Sequence, residues 1–375
     1  MKTTINKIPF VDLKREANLF MPELLSITKK VLESGNYING QYVKEFESSV
    51  ADYLGVKYAI SVGNGSDALT FILRSLNLEK DAEVICPANS FIATAWSTIA
   101  AGLKPVFCDV NDDFLLDPDD FKRKINKNTK AVIPVHLTGR VFEINSINEI
   151  CEKHSIYIIE DAAQSFGAYD SNKTKTGGIG IAGAFSLHPL KNLNICGDGG
   201  VITTNDLNIA QNCKLLRNHG LINRDEAKIW GFNSRLDELQ AGFALIKIKE
   251  IENLTNRYLQ IAKFYDSHLM NQICKPKIRT TLRDVYHNYV IRVGIEIRDN
   301  FMKRLLEKGV ETKIHYPIPL HLQECSEKLG YKIGDIPKVE EFSKTMVSLP
   351  IYPGLESWEL NYIAETVNET YIELI

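Results

Sequence analysis

Short apolar runs alternate with amphipathic stretches between residues 57 and 204. The runs have the length of buried strands, and seven strands are predicted: Lys57–Val62, Glu83–Cys86, Pro105–Asp109, Ala131–Val135, Ile156–Glu160, Ala184–Leu187 and Val201–Thr204. Amphipathic patterns predict four helices between them: Ser66–Asn77, Ser90–Ala101, Asp117–Ile125 and Ile144–His154. Strands that alternate with helices indicate βαβ units, so we expect an α/β fold whose central sheet is mostly parallel.

The order of elements changes after a long helical pattern over roughly Arg235–Met270. Beyond it the pattern predicts one strand and three helices: Asn288–Val293, then Asp299–Lys308, Val339–Ser348 and Trp358–Leu374. A chain of 375 residues exceeds one ordinary core. We therefore expect a large domain over residues 1–250 and a smaller C-terminal α/β domain over residues 251–375.

Composition and charge exclude several function classes. A formal net charge of −3, with Lys and Arg spread along the chain, gives no basic footprint for nucleic acid. No apolar run reaches the length of about 18 residues that a membrane-spanning helix needs, and Met1–Glu16 lacks the apolar core of a secretory signal. The seven cysteines show no metal-binding spacing and suit reduced thiols. We expect a cytoplasmic protein without a metal site and with neither a nucleic-acid nor a membrane partner.

A lysine and a carboxylate have the surroundings that pyridoxal phosphate (PLP) chemistry requires. Asp161 follows an apolar strand, at the end where open α/β sheets place ligand groups. Lys191 lies in a weakly polar, glycine-rich segment, where desolvation lowers the pKa of an amine and makes it a nucleophile. PLP enzymes use such a lysine together with a carboxylate that holds a proton on the pyridine nitrogen. A surface lysine and a turn-capping aspartate are the alternative interpretations.

Two glycine-rich segments are candidate phosphate sites. Gly63–Leu69 follows a strand and opens a helix, so its backbone N–H groups suit a phosphate, to which Ser186 could also donate. An ordinary N-cap turn is the alternative for this segment. Gly178–Gly183 matches GxGxxG, but a polar stretch precedes it and a strand pattern follows it. We therefore do not expect it to bind a nicotinamide cofactor.

Four other side chains each have two interpretations. Phe91 could stack on a cofactor ring or belong to the core. Gln164 could reach a ring substituent or face solvent, and His188 could move protons or simply pack in its loop. Asn233 could cap the long helix or contact a ligand. Periodicity does not decide between these alternatives.

Eight segments stand in a specific order along the chain: GNGSDAL, NSFIATA, PVHLTG, EDAAQSFGA, FSLHPLKNL, GDGG, GFNSRLDELQAG and HYPIPLHLQ. Together they resemble the DegT/DnrJ/EryC1/StrS family of PLP-dependent sugar aminotransferases, over nearly the whole chain. The resemblance implies a fold-type I aminotransferase, with a large PLP domain, a small C-terminal domain and a homodimer with shared active sites.

The resemblance also implies roles for individual residues. Lys191 would carry the cofactor and act with Asp161 in catalysis, and His188, which stands close to Lys191 in the sequence, is a further catalytic candidate from its own chemistry. Asp161 would pair with the pyridinium nitrogen, and Gln164 would contact the ring hydroxyl. The full set of cofactor-binding residues that it implies is Gly65, Ser66, Phe91, Asp161, Gln164, Ser186, Lys191 and Asn233. Phe91 would cover one ring face, and Asn233 would come from the neighbouring subunit.

The implied reaction transfers the amino group of L-glutamate to a keto sugar in amino-sugar biosynthesis, such as that of lipopolysaccharide O-antigen. Lys191–Leu193 with Gly197–Gly200, and His315–His321, look more like members acting on 3-keto sugars than on 4-keto sugars, so a nucleotide-linked 3-keto-deoxyhexose is expected as the acceptor. Leu187 and His188 depart from the commoner aromatic forms. A 4-keto sugar nucleotide, a keto sugar phosphate, a PLP-dependent sugar dehydratase and a catalytically silent regulator are the alternatives. The dehydratases of the family carry a histidine in place of the lysine, so Lys191 favours amino transfer.

Overall fold

The computed structural model describes residues 7–375, so the first six residues of the predicted large domain lie outside the described part. Three helices come first: α1 (Leu13–Leu19), α2 (Met21–Ser34) and α3 (Gln41–Leu54). The alternating region follows, with β1 (Tyr58–Val62), α4 (Gly65–Ser75), β2 (Glu83–Pro87), α5 (Ile92–Ala100), β3 (Lys104–Cys108), α6 (Pro118–Lys124), β4 (Thr129–Val132), α7 (Asn145–His154), β5 (Tyr157–Asp161), β6 (Ala182–Ser186) and β7 (Gly200–Thr204). The seven predicted strands and four predicted helices of this region are all present, with small shifts at their ends.

These seven strands form one sheet in the order β1-β7-β6-β5-β4-β2-β3. The pairs from β3 through β2, β4 and β5 to β6 are parallel, whereas β7 runs antiparallel to both β6 and β1. The strands are buried almost throughout because helices cover both faces of a mostly parallel sheet. The α/β architecture with a mostly parallel central sheet is confirmed.

The rest of the chain begins with α8 (Leu207–Leu216), which the sequence analysis missed, and the long helix α9 (Glu238–His268). It continues with β8 (Tyr289–Arg292), α10 (Arg298–Glu307), α11 (Pro337–Thr345), β9 (Met346–Leu349) and α12 (Ser357–Ile372). β8 and β9 pair antiparallel. The prediction of one helix over residues 339–348 is wrong at its end, because Met346–Leu349 is fully buried beside β8 and Pro350 follows it.

Two separate hydrophobic cores lie at the two ends of α9. Its first half packs with α2 and α3 under one face of the large sheet. Its second half joins β8, β9, α10 and α12 in a C-terminal core that also takes in Ile8. Conversely, α11 belongs to the C-terminal part of the sequence, but its Val339 and Phe342 pack in the core of the large sheet. The division of the chain at residue 250 stays a prediction.

The GxGxxG segment wraps around a carboxylate of the protein itself. The N–H groups of Gly177, Ile179 and Gly180 each donate to Glu160 at 2.8 Å. Glu160 also bonds His136 Nε2 at 2.9 Å, and both side chains are fully buried. Glu160 therefore occupies the position that a bound anion would take.

Across residues 7–375, none of the helices combines the length and the apolar character that crossing a membrane would need.

Candidate active site

A cavity of about 440 Å³ opens beside the carboxyl ends of β5 and β6. Its volume lies in the range typical of small-molecule sites. Among the residues predicted for the site, all except Asn233 line it: Gly65, Ser66, Phe91, Asp161, Gln164, Ser186, His188 and Lys191. The topology thus brings together predicted residues as far apart in the chain as Gly65 and Lys191, which are 126 positions apart.

One end of the cavity is the N-terminus of α4. Asn64 caps this helix, because its side chain accepts from Asp67 N–H at 2.8 Å. Gly65 lies against β6 so closely that an added Cβ would stand 2.9 Å from Ser186 Cβ. A glycine is therefore required where the helix begins, and Gly65 and Ser66 at this N-terminus line the cavity together with Ser186. This end suits an anion.

Asp161 ends β5 and is buried. Its Oδ2 accepts from Thr94 Oγ1 at 2.7 Å, and its Oδ1 accepts from Ala163 N–H at 3.2 Å. Burial raises the pKa of Asp161, against the effect of these two hydrogen bonds and of the Lys191 charge. A buried carboxylate with few partners favours a nearby protonated nitrogen, because the positive charge offsets its desolvation.

Lys191 reaches the cavity from the segment between β6 and β7. Desolvation lowers the pKa of Lys191 to about 8, although the charge of Asp161 acts in the opposite direction. A substantial fraction of the amine is therefore neutral near physiological pH, as a nucleophile or a general base requires. The two groups are close enough for each to influence the pKa of the other.

The side-chain amide of Gln164 has a fixed orientation. Its Oε1 accepts from Thr138 N–H at 2.7 Å, so its amino group is the end that donates to Tyr316 Oη, at 3.2 Å. Tyr316 in turn lies beside Phe91, with ring centroids 6.0 Å apart. Phe91 is 55% exposed, so it belongs to the wall of the cavity and not to the core.

Three histidines surround the lysine. Desolvation and the Lys191 charge lower the pKa of His315 to about 4 and hold the pKa of His287 well below its usual value. The pKa of His188 is lowered by partial burial. The His315 ring is held by Ser348 Oγ, 2.8 Å from its Nδ1. His287 and His315 are therefore uncharged hydrogen-bonding groups at neutral pH.

Asn233 is exposed and lies outside this cavity. It lines an adjacent depression of about 340 Å³ that shares Asn64 with the main cavity. The structure thus places Asn233 near the same helix N-terminus but not in contact with the cavity of its own chain.

Sequence reasoning missed several residues of the cavity. Ser90 lines the cavity, and Thr94 supports it by bonding Ser90 and Asp161; both are small polar residues on an otherwise apolar pattern, and nothing in their spacing marks them. His287 stands alone in a polar segment between α9 and β8. Tyr316 and His315 were singled out only as part of a motif. A buried hydroxyl that faces a strand-end aspartate could have been sought, but only once the strand order was known.

These residues fit PLP on the chemistry of their donor sets. An anion-binding helix N-terminus, a carboxylate suited to a protonated ring nitrogen, a partly neutral lysine and an aromatic wall line one cavity. The close approach of Gly65 to Ser186 leaves the backbone free to contact a phosphate.

Comparison with known proteins agrees with this chemistry. Residues 21–368 match the family described as the DegT/DnrJ/EryC1/StrS aminotransferase family. A dTDP-3-amino-3,6-dideoxy-alpha-D-galactopyranose transaminase of Aneurinibacillus thermoaerophilus is 39% identical over 96% of this chain and 99% of its own length. A pleiotropic regulatory protein of Geobacillus stearothermophilus is 37% identical, over 97% and 98% of the two chains.

Solved structures give the same result. DesV from S. venezuelae, in complex with a ketimine intermediate, superposes with a TM-score of 0.94 at 33% identity, covering 97% of this chain and 98% of that one. NtdA from Bacillus subtilis, with bound cofactor PMP, gives a TM-score of 0.91 at 30% identity, over 99% and 86% of the chains. The chain therefore belongs to the DegT/DnrJ/EryC1/StrS aminotransferase family and is a sugar aminotransferase with pyridoxal phosphate as its cofactor.

Proposed function

We propose that this enzyme moves the amino group of L-glutamate to a nucleotide-linked 3-keto-deoxyhexose. The observation that carries this proposal is the pairing of a partly neutral Lys191 with the buried Asp161 in a cavity whose other walls are largely uncharged. The A. thermoaerophilus relative, named for a dTDP-linked 3-amino sugar, supports the position of the keto group.

The proposed roles follow from the groups of the chain. Bound PLP supplies an electron sink for the charge that develops when a proton leaves the amino acid. Lys191 would hold the cofactor covalently and then move the proton, as base and afterwards as acid. Asp161 would keep the ring nitrogen protonated, with Thr94 fixing the carboxylate. Gly65, Ser66 and Ser186 would hold the phosphate, and Gln164 would donate to the ring hydroxyl.

The remaining predicted residues take supporting roles. Phe91 would cover one face of the ring, and His188 would assist proton transfer near Lys191. Asn233 would reach the phosphate of the neighbouring subunit, which requires a homodimer with shared sites. Its exposed position beside Asn64 supports this assignment. We further propose that the enzyme works in the cytoplasm and serves surface-polysaccharide synthesis of the O-antigen type.

The visible absorption spectrum before and after addition of L-glutamate tests the proposal. We expect a lysine-bound cofactor band that glutamate converts to the pyridoxamine form, and that a dTDP-linked 3-keto sugar restores. Lys191→Ala is the matched control and should lose both the band and turnover. A wild-type band that glutamate leaves unchanged would refute the donor, and transamination retained by Lys191→Ala would refute the role of the lysine.

A second candidate is a catalytically silent regulator, because one relative is named a pleiotropic regulatory protein. The same experiment separates the two functions. A silent binder would show a cofactor band but no conversion with any amino acid. The intact lysine, carboxylate and helix N-terminus favour the enzyme.

A further inference from the structure

Three buried polar side chains meet behind the lysine, and they come from three distant parts of the chain. Glu16 lies on α1, Lys247 on α9, and Asn194 follows Lys191 by three residues; they are only 8%, 5% and 4% exposed. Lys247 Nζ stands 2.5 Å from Glu16 Oε1 and also bonds Asn194 Oδ1. Asn194 Nδ2 donates to the same Glu16 oxygen at 3.0 Å. The three side chains thus form a closed triangle.

Such a triangle is not explained by stability alone. Burying two charges costs desolvation energy that their attraction repays only in part, and apolar side chains of the same size often do as well. A buried polar network does, however, fix the geometry of the groups that it joins, because each member has specific partners. The feature to explain is therefore what this network holds in place.

The group that it holds is the Lys191 loop, defined here as residues 188–194. The loop is closed at its base, where Ile195 N–H donates to the carbonyl of Leu187 at 3.0 Å. Within it, Lys191 N–H donates only to the carbonyl of His188, at 2.8 Å. Asn192 offers a weak second attachment, a 3.5 Å bond to the carbonyl of Val285. Asn194 therefore makes the shortest side-chain hydrogen bonds between the loop and other elements, next to Leu193, which packs in the core under α9.

The N-terminal segment supports the same loop from behind. A small cavity of about 40 Å³ separates Phe10 and Val11 from Leu190 and Asn194, and His287 and His315 also line it. The segment that leads into α1 is thus the rear wall of the active site.

We propose that Lys247 and Glu16 are positioning residues, which act through Asn194 to hold Lys191 at the reacting atom. The proposal rests on the role given above to Lys191. Displacement of a reacting group by about 1 Å can cost on the order of a hundredfold in rate. Loss of the triangle should therefore slow every step in which the lysine amine attacks, while the phosphate and ring contacts remain.

The test measures how fast PLP attaches covalently to the apo-protein, by the rise of the lysine-bound band, and also the thermal midpoint of the apo-protein. Asn194→Ala leaves the Glu16–Lys247 pair intact, so it should fold. We expect attachment to slow by about tenfold or more in this variant. A double variant, Glu16→Gln with Lys247→Met, removes both charges together and should slow attachment by a similar factor. Adding Asn194→Ala to it should cause little further loss, because coupled residues are not additive.

Arg15→Met is the matched control. Arg15 is the neighbour of Glu16 on α1 and makes its own ion pair, 2.6 Å from Glu359 on α12, away from the loop. The Arg15→Met variant should have a lower thermal midpoint but should attach PLP at the wild-type rate. Wild-type attachment by Asn194→Ala, or equal slowing by Arg15→Met, would overturn the proposal. Attachment by Lys191→Ala would instead refute the role of Lys191 itself, so the two failures are distinguishable.

Discussion

At the scale of single residues, burial disfavours the charged form of both Lys191 and Asp161. It lowers the pKa of the amine and raises that of the carboxyl, so both groups resist carrying charge without a partner. Lys191 would hold bound PLP through its neutral amine, and Asp161 would hold a protonated ring nitrogen, so binding of the cofactor would relieve both costs. In the apo-protein, Lys191 and Asp161 therefore lower the stability of the fold, as functional groups commonly do.

The desolvation of the Lys191 amine predicts that Lys191→Met stabilises the apo-protein. The pKa of Lys191 falls from 10.5 to about 8 on folding, so the unfolded chain binds more protons between these values. The lysine thus destabilises the wild type by up to about 3 kcal/mol below pH 8, and the penalty disappears as the pH rises towards 10.5. Denaturant unfolding of both proteins at pH 7 and pH 10 measures the difference. A variant that is less stable at pH 7 would contradict the desolvation of the amine.

Asp161→Asn should keep the fold and slow the glutamate half-reaction severely. The amide oxygen of the variant can still accept from Ala163 N–H while its NH₂ group donates to Thr94 Oγ1, whose hydroxyl can turn to Ser90, but the neutral amide cannot hold a proton on the ring nitrogen. We expect a barrier higher by roughly 3–4 kcal/mol, the scale of a lost electrostatic contact. Stopped-flow absorbance gives the rate, and Asp206→Asn, which changes a helix cap remote from the cavity, is the control. A rate near that of the wild type would remove Asp161 from this role.

The residues that sequence alone could indicate are those with unusual chemistry for their position. Lys191 and Asp161 stand out because a lysine in an apolar loop and a carboxylate at a strand end are both costly. Thr94, His287 and Tyr316 do not stand out, since threonine, histidine and tyrosine are ordinary in their segments. Only the tertiary fold brings Thr94 to Asp161, and His287 and Tyr316 to the cavity.

At the scale of elements, the period of the hydrophobic pattern was a reliable guide within the parallel sheet and less so outside it. The sheet strands are continuous apolar runs, which are easily recognised. In contrast, α11 passes directly into β9 at Met346, and the apolar residues of both fit one helical period. Pairing with β8, a tertiary contact, decides that junction.

Glu160 provides the prediction at this scale. Its carboxylate accepts from the backbone N–H groups of Gly177, Ile179 and Gly180, at the start of the GxGxxG segment, and bonds His136, so Glu160→Gln would turn a donating NH₂ group towards other donors. We expect a loss of about 2–3 kcal/mol in the free energy of unfolding. Chemical denaturation measures it, with the surface change Glu152→Gln as the control. Tight binding of a nicotinamide dinucleotide by the wild type would contradict the structural role of the segment.

At the scale of the whole molecule, the active site lies where two cores meet. Segments from the C-terminal core bring His287, His315 and Tyr316 to a cavity built mainly by the large sheet. The long helix α9 takes part in both cores, so it fixes their separation. The pattern of elements gave no sign that Ile8 packs in the C-terminal core or that α11 packs in the core of the large sheet.

Subunit mixing tests the proposed sharing of sites. We expect Lys191→Ala and Asn233→Asp to be nearly inactive as separate homodimers, because the first lacks the amine and the second sets a carboxylate beside the phosphate. A mixed dimer would contain one site with both defects and one intact site. Refolding an equal mixture should therefore restore about one quarter of the wild-type rate. A refolded mixture whose rate only equals the residual rates of the two variants would show that each chain builds its site alone.

The reversed strand β7 has a consequence for how the chain matures. β7 lies between β1 and β6, and Gly200 packs so tightly on the carbonyl of Asn64 that an added Cβ would stand 2.4 Å from it. During synthesis, β1 and the start of α4 lack their partner strand β7 until residues 200–204 have left the ribosome. Contacts this distant in sequence form slowly. We therefore expect nascent chains that end before β7 to bind no cofactor and to depend on protection from aggregation.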